Sequence, residues 1–258
     1  MLLMMPAGAP AATKLLRIGG TGGALPVMQV LAEEYVRHHP HVTVNILGSL
    51  GSAGGISALI DGALDVAVSS RAPTGAEAAA GVTSFPYARA AFVFATHAGN
   101  AATGVTREDI ARWYASGGNW PDGTPVTLVL RLSSDADTDL VRSLSPAVRS
   151  ARDAAQKRDG MLFAVTDQDS ASFIEKLRGS LGTATLPQLL AEKRKVRLLA
   201  LDGVAPTAEN IAAGRYGVYK DMYVVLRQRP GDIAADFVSF VLSPPAQRLL
   251  RELGTLPG

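Results

Sequence analysis

From Lys14 onward, short apolar runs and helix-periodic runs take turns along almost the whole chain, and that alternation restricts what it can fold into. "LLRIGG" (15–20) closes on glycines, as a buried strand does. "VMQVLAEEYVRHH" (27–39) follows, with Val27, Val30, Leu31 and Tyr35 at helical spacing and Pro26 suited to a first turn. "VTVNIL" (42–47) reads as a β-branched strand, "GSLGSAGG" (48–55) as a loop, and "ISALIDG" (56–62) as a short helix ended by Gly62. "LDVAVSS" (64–70) is another buried strand. A β-α-β-α-β order of this kind predicts a mainly parallel sheet with right-handed crossovers.

The same rhythm continues. "AAFVFATHA" (90–98) is strand-like, and Thr106 caps the next helix with Asp109 completing an imperfect capping box. "TPVTLVL" (124–130) is a strand, while "TDLVRSL" and "AVRSARDAAQK" are helical. The closing segment, 232–254, gives two helices separated by Pro244-Pro245 and ended by Gly254. Two strand-like runs, 90–98 and 221–228, are placed to cross between halves, so the chain reads as two α/β lobes wound discontinuously.

Composition narrows the function classes. The 258 residues, 47% hydrophobic and 19% charged, suffice for one large domain or two modest lobes, each with a core. Net charge is only +2, and the basic residues are scattered apart from "EKRKVR" (192–197), a solvated helix end running into a strand. No nucleic-acid footprint results. The absence of cysteine removes disulfides, thiolate metal sites and cysteine nucleophiles together. No apolar run approaches the roughly 18 residues of a membrane span. "MLLMMPAGAPAATK" carries an A-x-A pattern at Ala9 and Ala11, so residues 1–13 are expected to be a signal-peptide remnant or disordered, on an exported protein. The histidines His38, His39, His41 and His97 have no metal-site spacing, and no catalytic motif is present. The expectation is a binding protein, not an enzyme, with no cofactor or metal.

Binding chemistry is concentrated at three strand-to-helix junctions: "GGTGGA" (19–24), "GSLGSAGGI" (48–56) and "RLSSDADT" (131–138). A helix start leaves about four N–H groups unpaired and carries roughly half a positive charge. Glycine admits a ligand close to those groups and hydroxyls add donors, so junctions converging on one cleft would cradle an anion. The first junction lacks the G-x-G-x-x-G spacing and the acidic partner of a dinucleotide site, and none carries the Gly-Lys-Ser/Thr of a P-loop.

"GSAGGISALIDGALDVAVSSRAPT" (51–74), "LALDGVAPTAENIAAGRYGVYKDMYVVL" (199–226) and "FVLSPPAQRLLRELGTLP" (240–257) resemble the phosphate-binding proteins of ABC importers, within the periplasmic solute-binding superfamily. The likeness runs from Leu15 nearly to the end. It implies a two-lobed periplasmic-binding-protein fold of type II, each lobe a mainly parallel sheet flanked by helices, joined by two crossing segments. It also implies lobes of roughly 14–89 with 226–258, and 90–225, acting as a monomer that passes its ligand to a membrane permease.

Carried over position by position, the resemblance puts Ser52 and Ser70 beside the anion and pairs Arg131 with its oxygens. Gly23 stands where the family commonly has threonine, with the Ala24 N–H or the Thr21 hydroxyl left to donate. The third junction departs from the pattern. Where the family continues into Ser-Gly-Thr, this chain follows Ser134 with Asp135, Ala136 and Asp137. A carboxylate about 4 Å from a phosphate charge costs about 4 kcal/mol at an effective dielectric of 20. A donor to a charged group returns only about 1.5–3 kcal/mol. Three outcomes follow: an aspartate meets a phosphate O–H; the aspartates merely cap the helix; or a carboxylate occupies the anion position and frees the cleft for an organic or lipid-like ligand.

Overall fold

The computed structural model describes residues 13–257, so nearly all of the segment expected to be a signal remnant lies outside the described residues. In the first half, β1 (Lys14–Gly20), α1 (Leu25–His38), β2 (Val42–Ser49), α2 (Gly51–Ile60) and β3 (Val66–Ser69) follow the expected alternation. A short α3 (Gly75–Ala79) then leads into the long β4 (Val82–His97). Next come β5 (Gly104–Val105), α4 (Arg107–Ser116), β6 (Thr127–Arg131), α5 (Ala136–Ser143) and α6 (Pro146–Ala155). They are followed by β7 (Leu162–Ala164), α7 (Asp167–Lys176), β8 (Ser180–Thr185), α8 (Leu186–Ala191), β9 (Val196–Leu201) and α9 (Ala208–Ala212). The chain closes with β10 (Tyr219–Arg227), α10 (Asp232–Val241), α11 (Pro244–Glu252) and β11 (Thr255–Pro257).

The principal sheet path runs β2-β1-β3-β10-β4-β8-β6-β7. Pairing is parallel at β1–β2, β1–β3, β6–β7 and β6–β8, where helices make the crossovers. It is antiparallel wherever β4 or β10 takes part. These two strands join the halves. Along β4, Tyr87, Ala88 and Ala90 sit in one apolar core with α1, α10 and α11, while Ala91 to Ala95 sit in the other with Trp113 and Ile174. Along β10 the change falls between Val218 and Met222. A smaller cluster, Ile56, Leu59, Leu64, Ala67, Val82 and Val225, packs α2 against the other face of the first lobe's strands, and the chain forms two lobes threaded by β4 and β10 with a cleft between them.

Local signals act as expected at most helix ends. Thr106 and Asp109 form a complete capping box, and Thr166 with Asp169 forms another at α7. Two elements differ from expectation. β4 begins at Val82, not near residue 90, because Phe85 and Pro86 pair with β10 across a register shift beside Tyr223. The second glycine junction is not a loop: Gly48 belongs to β2, and Gly51, Gly54 and Gly55 form the first turns of α2, which starts at Gly51.

The reason is steric. A β-carbon at Gly55 would lie 2.5 Å from the Gly20 Cα, so only glycine lets α2 lie directly on the end of β1. The Leu50 N–H donates to the Gly20 carbonyl at 2.9 Å and ties the two junctions together. Gly55→Ala is therefore expected to destabilise the protein by about 1–3 kcal/mol, as overpacking does. Denaturant unfolding checks it, and an unchanged midpoint would contradict this packing.

Candidate functional site

The first and second junctions end at one wall of the cleft. Helix α2 points its N-terminus into a cavity of about 500 Å³. Ser52, in its first turn, accepts a hydrogen bond from the Ser70 N–H at 3.0 Å, and the two hydroxyls lie 3.1 Å apart. Thr21 and Ser49 line the same wall, with Arg71 at its edge. Arg71 is held by Glu77 through two bonds of 2.7 and 2.8 Å. The Arg71 guanidinium in turn brings the Glu77 carboxyl down to about 2. Gly23 and Ala24 lie buried behind this wall and do not line the cavity.

The opposite wall is built from the third junction. Arg131 ends β6 and is almost fully buried. Its Nη2 donates to Asp135 Oδ2 at 2.5 Å. Asp135 is also the N-cap of α5, its Oδ1 accepting from the Asp137 N–H at 2.9 Å. Asp137 is buried and receives a hydrogen bond from Lys220, which comes from the crossing strand β10. Ser134 lines the cavity beside them. Asp135 thus caps α5 while pairing with Arg131, and Asp137 pairs with Lys220.

A third carboxylate completes this wall. Asp167, at the first turn of α7, lines the cavity with only 5% of its surface exposed. Its closest cation is Arg131 at 3.5 Å, already engaged by Asp135. Burial, then the neighbouring Asp137, pushes the Asp167 carboxyl above its ordinary range. Burial works against the charges of Arg131 and Lys220, but the surrounding carboxylates outweigh it and push both upward. Asp167 also bears on the glycines of the first junction. A β-carbon at Gly22 would lie 2.5 Å from Asp167 Oδ2, and one at Gly23 would lie 3.3 Å from Oδ1. Gln168 and Ser49 crowd Gly22 as well, and Thr185 crowds Gly23 at the same 3.3 Å, so the junction has no room for side chains. Gln168 Nε2 follows, donating to the Gly22 carbonyl at 2.9 Å.

Asp167, Lys220 and Arg152 were not expected from the sequence. Asp167 follows β7 at a fourth strand-to-helix junction, "AVTDQDS", which carries hydroxyl and acidic residues but no glycine. Lys220 stands beside Asp221 at the polar start of an otherwise apolar strand, which is also how a surface position reads. Arg152 lies in a helix with an ordinary charged face, yet it is buried, donating to the Arg131 carbonyl and to Thr138 Oγ1. The histidines stay apart from the cleft, as in the stacking of His39 on Tyr35.

Comparisons with known proteins agree with this architecture. A family model for the PBP superfamily domain matches residues 6–245. The phosphate-binding protein PstS of Borreliella burgdorferi is 22% identical, over 94% of this chain and 90% of its own length. A phosphate ABC transporter substrate-binding protein of Clostridium perfringens, solved with bound phosphate, superposes with a TM-score of 0.76 at 21% identity, covering 95% of this chain and all of that one. An ABC-type phosphate transport receptor of Vibrio cholerae gives 0.61 at 22% identity, covering 94% and 99%.

Two outcomes follow from the charged wall. Lys220→Met strands Asp137 in the interior and is expected to cost about 3–5 kcal/mol, whereas adding Asp137→Asn should recover much of that loss. Denaturant unfolding of the single and double variants checks the pair; equal losses would contradict it. Because the Asp167 pKa is raised in the folded state, its ionisation costs stability as pH rises above the ordinary aspartate value of 3.8. Asp167→Asn should therefore leave ligand-free stability unchanged at low pH and raise it increasingly toward neutrality. Melting temperatures across pH read this directly, and a pH-independent difference would contradict it.

Proposed function

The chain belongs to the PBP superfamily, and we propose that it is the exported solute-binding protein of an ABC importer, carrying phosphate or a related oxyanion. The lobes, roughly 14–89 with 226–258 and 90–225, close over the ligand and present it to the membrane permease. No bond is made or broken in this role. One observation carries the oxyanion reading: the N-terminus of α2, with Ser52 and Ser70, faces the buried Arg131 across a single cavity. The phosphate named for several relatives supports it.

The acidic wall sets the ionic form of the ligand. Three carboxylates face two buried cations, Arg131 and Lys220, so a fully ionised oxyanion meets repulsion of about 4 kcal/mol for each close carboxylate. A phosphate O–H converts that repulsion into a hydrogen bond. The singly charged form is then favoured over the doubly charged one, and sulfate, which has no O–H at neutral pH, is refused. A second reading keeps the fold and transport role but takes an organic or lipid-like ligand. It is favoured by three apolar side chains at the mouth of the cavity, Leu50, Leu132 and Val165, each more than 40% exposed.

Isothermal calorimetry separates the readings. Phosphate should bind, and its affinity should fall as pH rises through phosphate's second ionisation. Phosphate at 100 times its dissociation constant should add about 2.7 kcal/mol, a thermal shift of roughly 5–10 °C. Arg131→Ala should weaken binding by about 30-fold or more, the least expected when a buried charge loses its partner. A heatless titration with no thermal shift would exclude phosphate and leave the organic ligand.

A further inference from the structure

The two walls of the cleft differ in charge. The α2 wall presents the helix N-terminus and the hydroxyls of Ser52, Ser70 and Thr21, with Arg71 neutralised by Glu77. The facing wall carries Asp135, Asp137 and Asp167 against Arg131 and Lys220, which leaves one negative charge in excess. Asp135 takes Arg131 and Asp137 takes Lys220. Among the described residues nothing donates a hydrogen bond to Asp167, although it is 95% buried and lines the cavity. Arg131 Nε, buried in the same wall, likewise has no acceptor. A buried carboxylate without a full partner is costly, and a ligand that brings a cation removes the cost.

Size and shape also exceed what a bare phosphate fills. The cavity of about 500 Å³ is in the range that holds organic ligands. A second chamber of about 490 Å³ shares Ser70, Arg71, Ala136 and Lys220 with it and adds Leu140, Tyr219 and Tyr223. Leu50, Leu132 and Val165 give the mouth an apolar surface that a carbon chain could cover.

Resting on the oxyanion reading above, the geometry points to a zwitterionic ligand, an oxyanion joined through a short carbon spacer to an ammonium group, of the aminoalkyl phosphate or phosphonate class. The oxyanion sits between the α2 N-terminus and Arg131. The ammonium pairs with Asp167, and the spacer passes the apolar mouth. Asp167 is then a specificity-determining residue that selects for the amine.

Three probes test this by calorimetry: O-phosphoethanolamine, ethyl phosphate, which has a similar skeleton without the amine, and inorganic phosphate. Phosphoethanolamine should bind about 30-fold or more tightly than ethyl phosphate. In Asp167→Asn that preference should vanish, while ethyl phosphate binds no more weakly than before. Equal affinities in the native protein, or a preference that survives Asp167→Asn, would overturn the inference and leave the oxyanion reading intact. If none of the three binds, the oxyanion reading falls and takes this inference with it.

Discussion

The pairing of two buried cations with three carboxylates is the interaction on which the cleft depends. Arg131 and Lys220 come from different parts of the fold, the end of β6 and the crossing strand β10. Asp135, Asp137 and Asp167 come from the starts of two helices. Helix starts favour carboxylates, so α5 and α7 can each hold acids that would otherwise be costly to bury. In exchange, the cleft gives up the neutral donors that a plain anion cradle would place there. The network also reaches across the lobes, because Asp167 rests on the side-chain-free Gly22 and Gly23.

The remaining architecture serves to bring these groups together. Parallel strands flanked by helices put every strand-to-helix junction at the same end of its sheet, and the crossing strands β4 and β10 set the two ends face to face. The close approach of Gly55 to Gly20 presses α2 onto β1 and aims its N-terminus at the cavity. Arg152 holds the Arg131 carbonyl from behind. Membership of the PBP superfamily follows from residues 6–245, whereas the proposed choice of ligand rests on this small set of charges.

Most of the fold was legible in the sequence because it rests on periodicity, which is local. The alternation from Lys14, the cap at Thr106 and the Pro244-Pro245 break all read directly. The start of α2 did not, since glycines in sequence signal a turn and only the contact with Gly20 explains them inside a helix. The site divided in the same way. Ser52, Ser70, Arg131, Ser134, Asp135 and Asp137 were found at junctions and do line one cavity. Asp167 and Lys220 were missed because their meaning lies in partners distant in sequence, Arg131 for the one and Asp137 for the other. Asp135 and Asp137 carried two meanings in the sequence, helix cap and charged lining of the cleft, and in the structure Asp135 caps α5 and pairs with Arg131 while Asp137 pairs with Lys220.

The central claim is that the cleft carries one more negative charge than its cations neutralise, so that a ligand enters with a proton or a cation of its own. Proton uptake on phosphate binding measures this most directly, by calorimetry in buffers of different ionisation enthalpy above phosphate's second ionisation. The account predicts that close to one proton is taken up for each phosphate bound. Binding of phosphate with no proton uptake would contradict it.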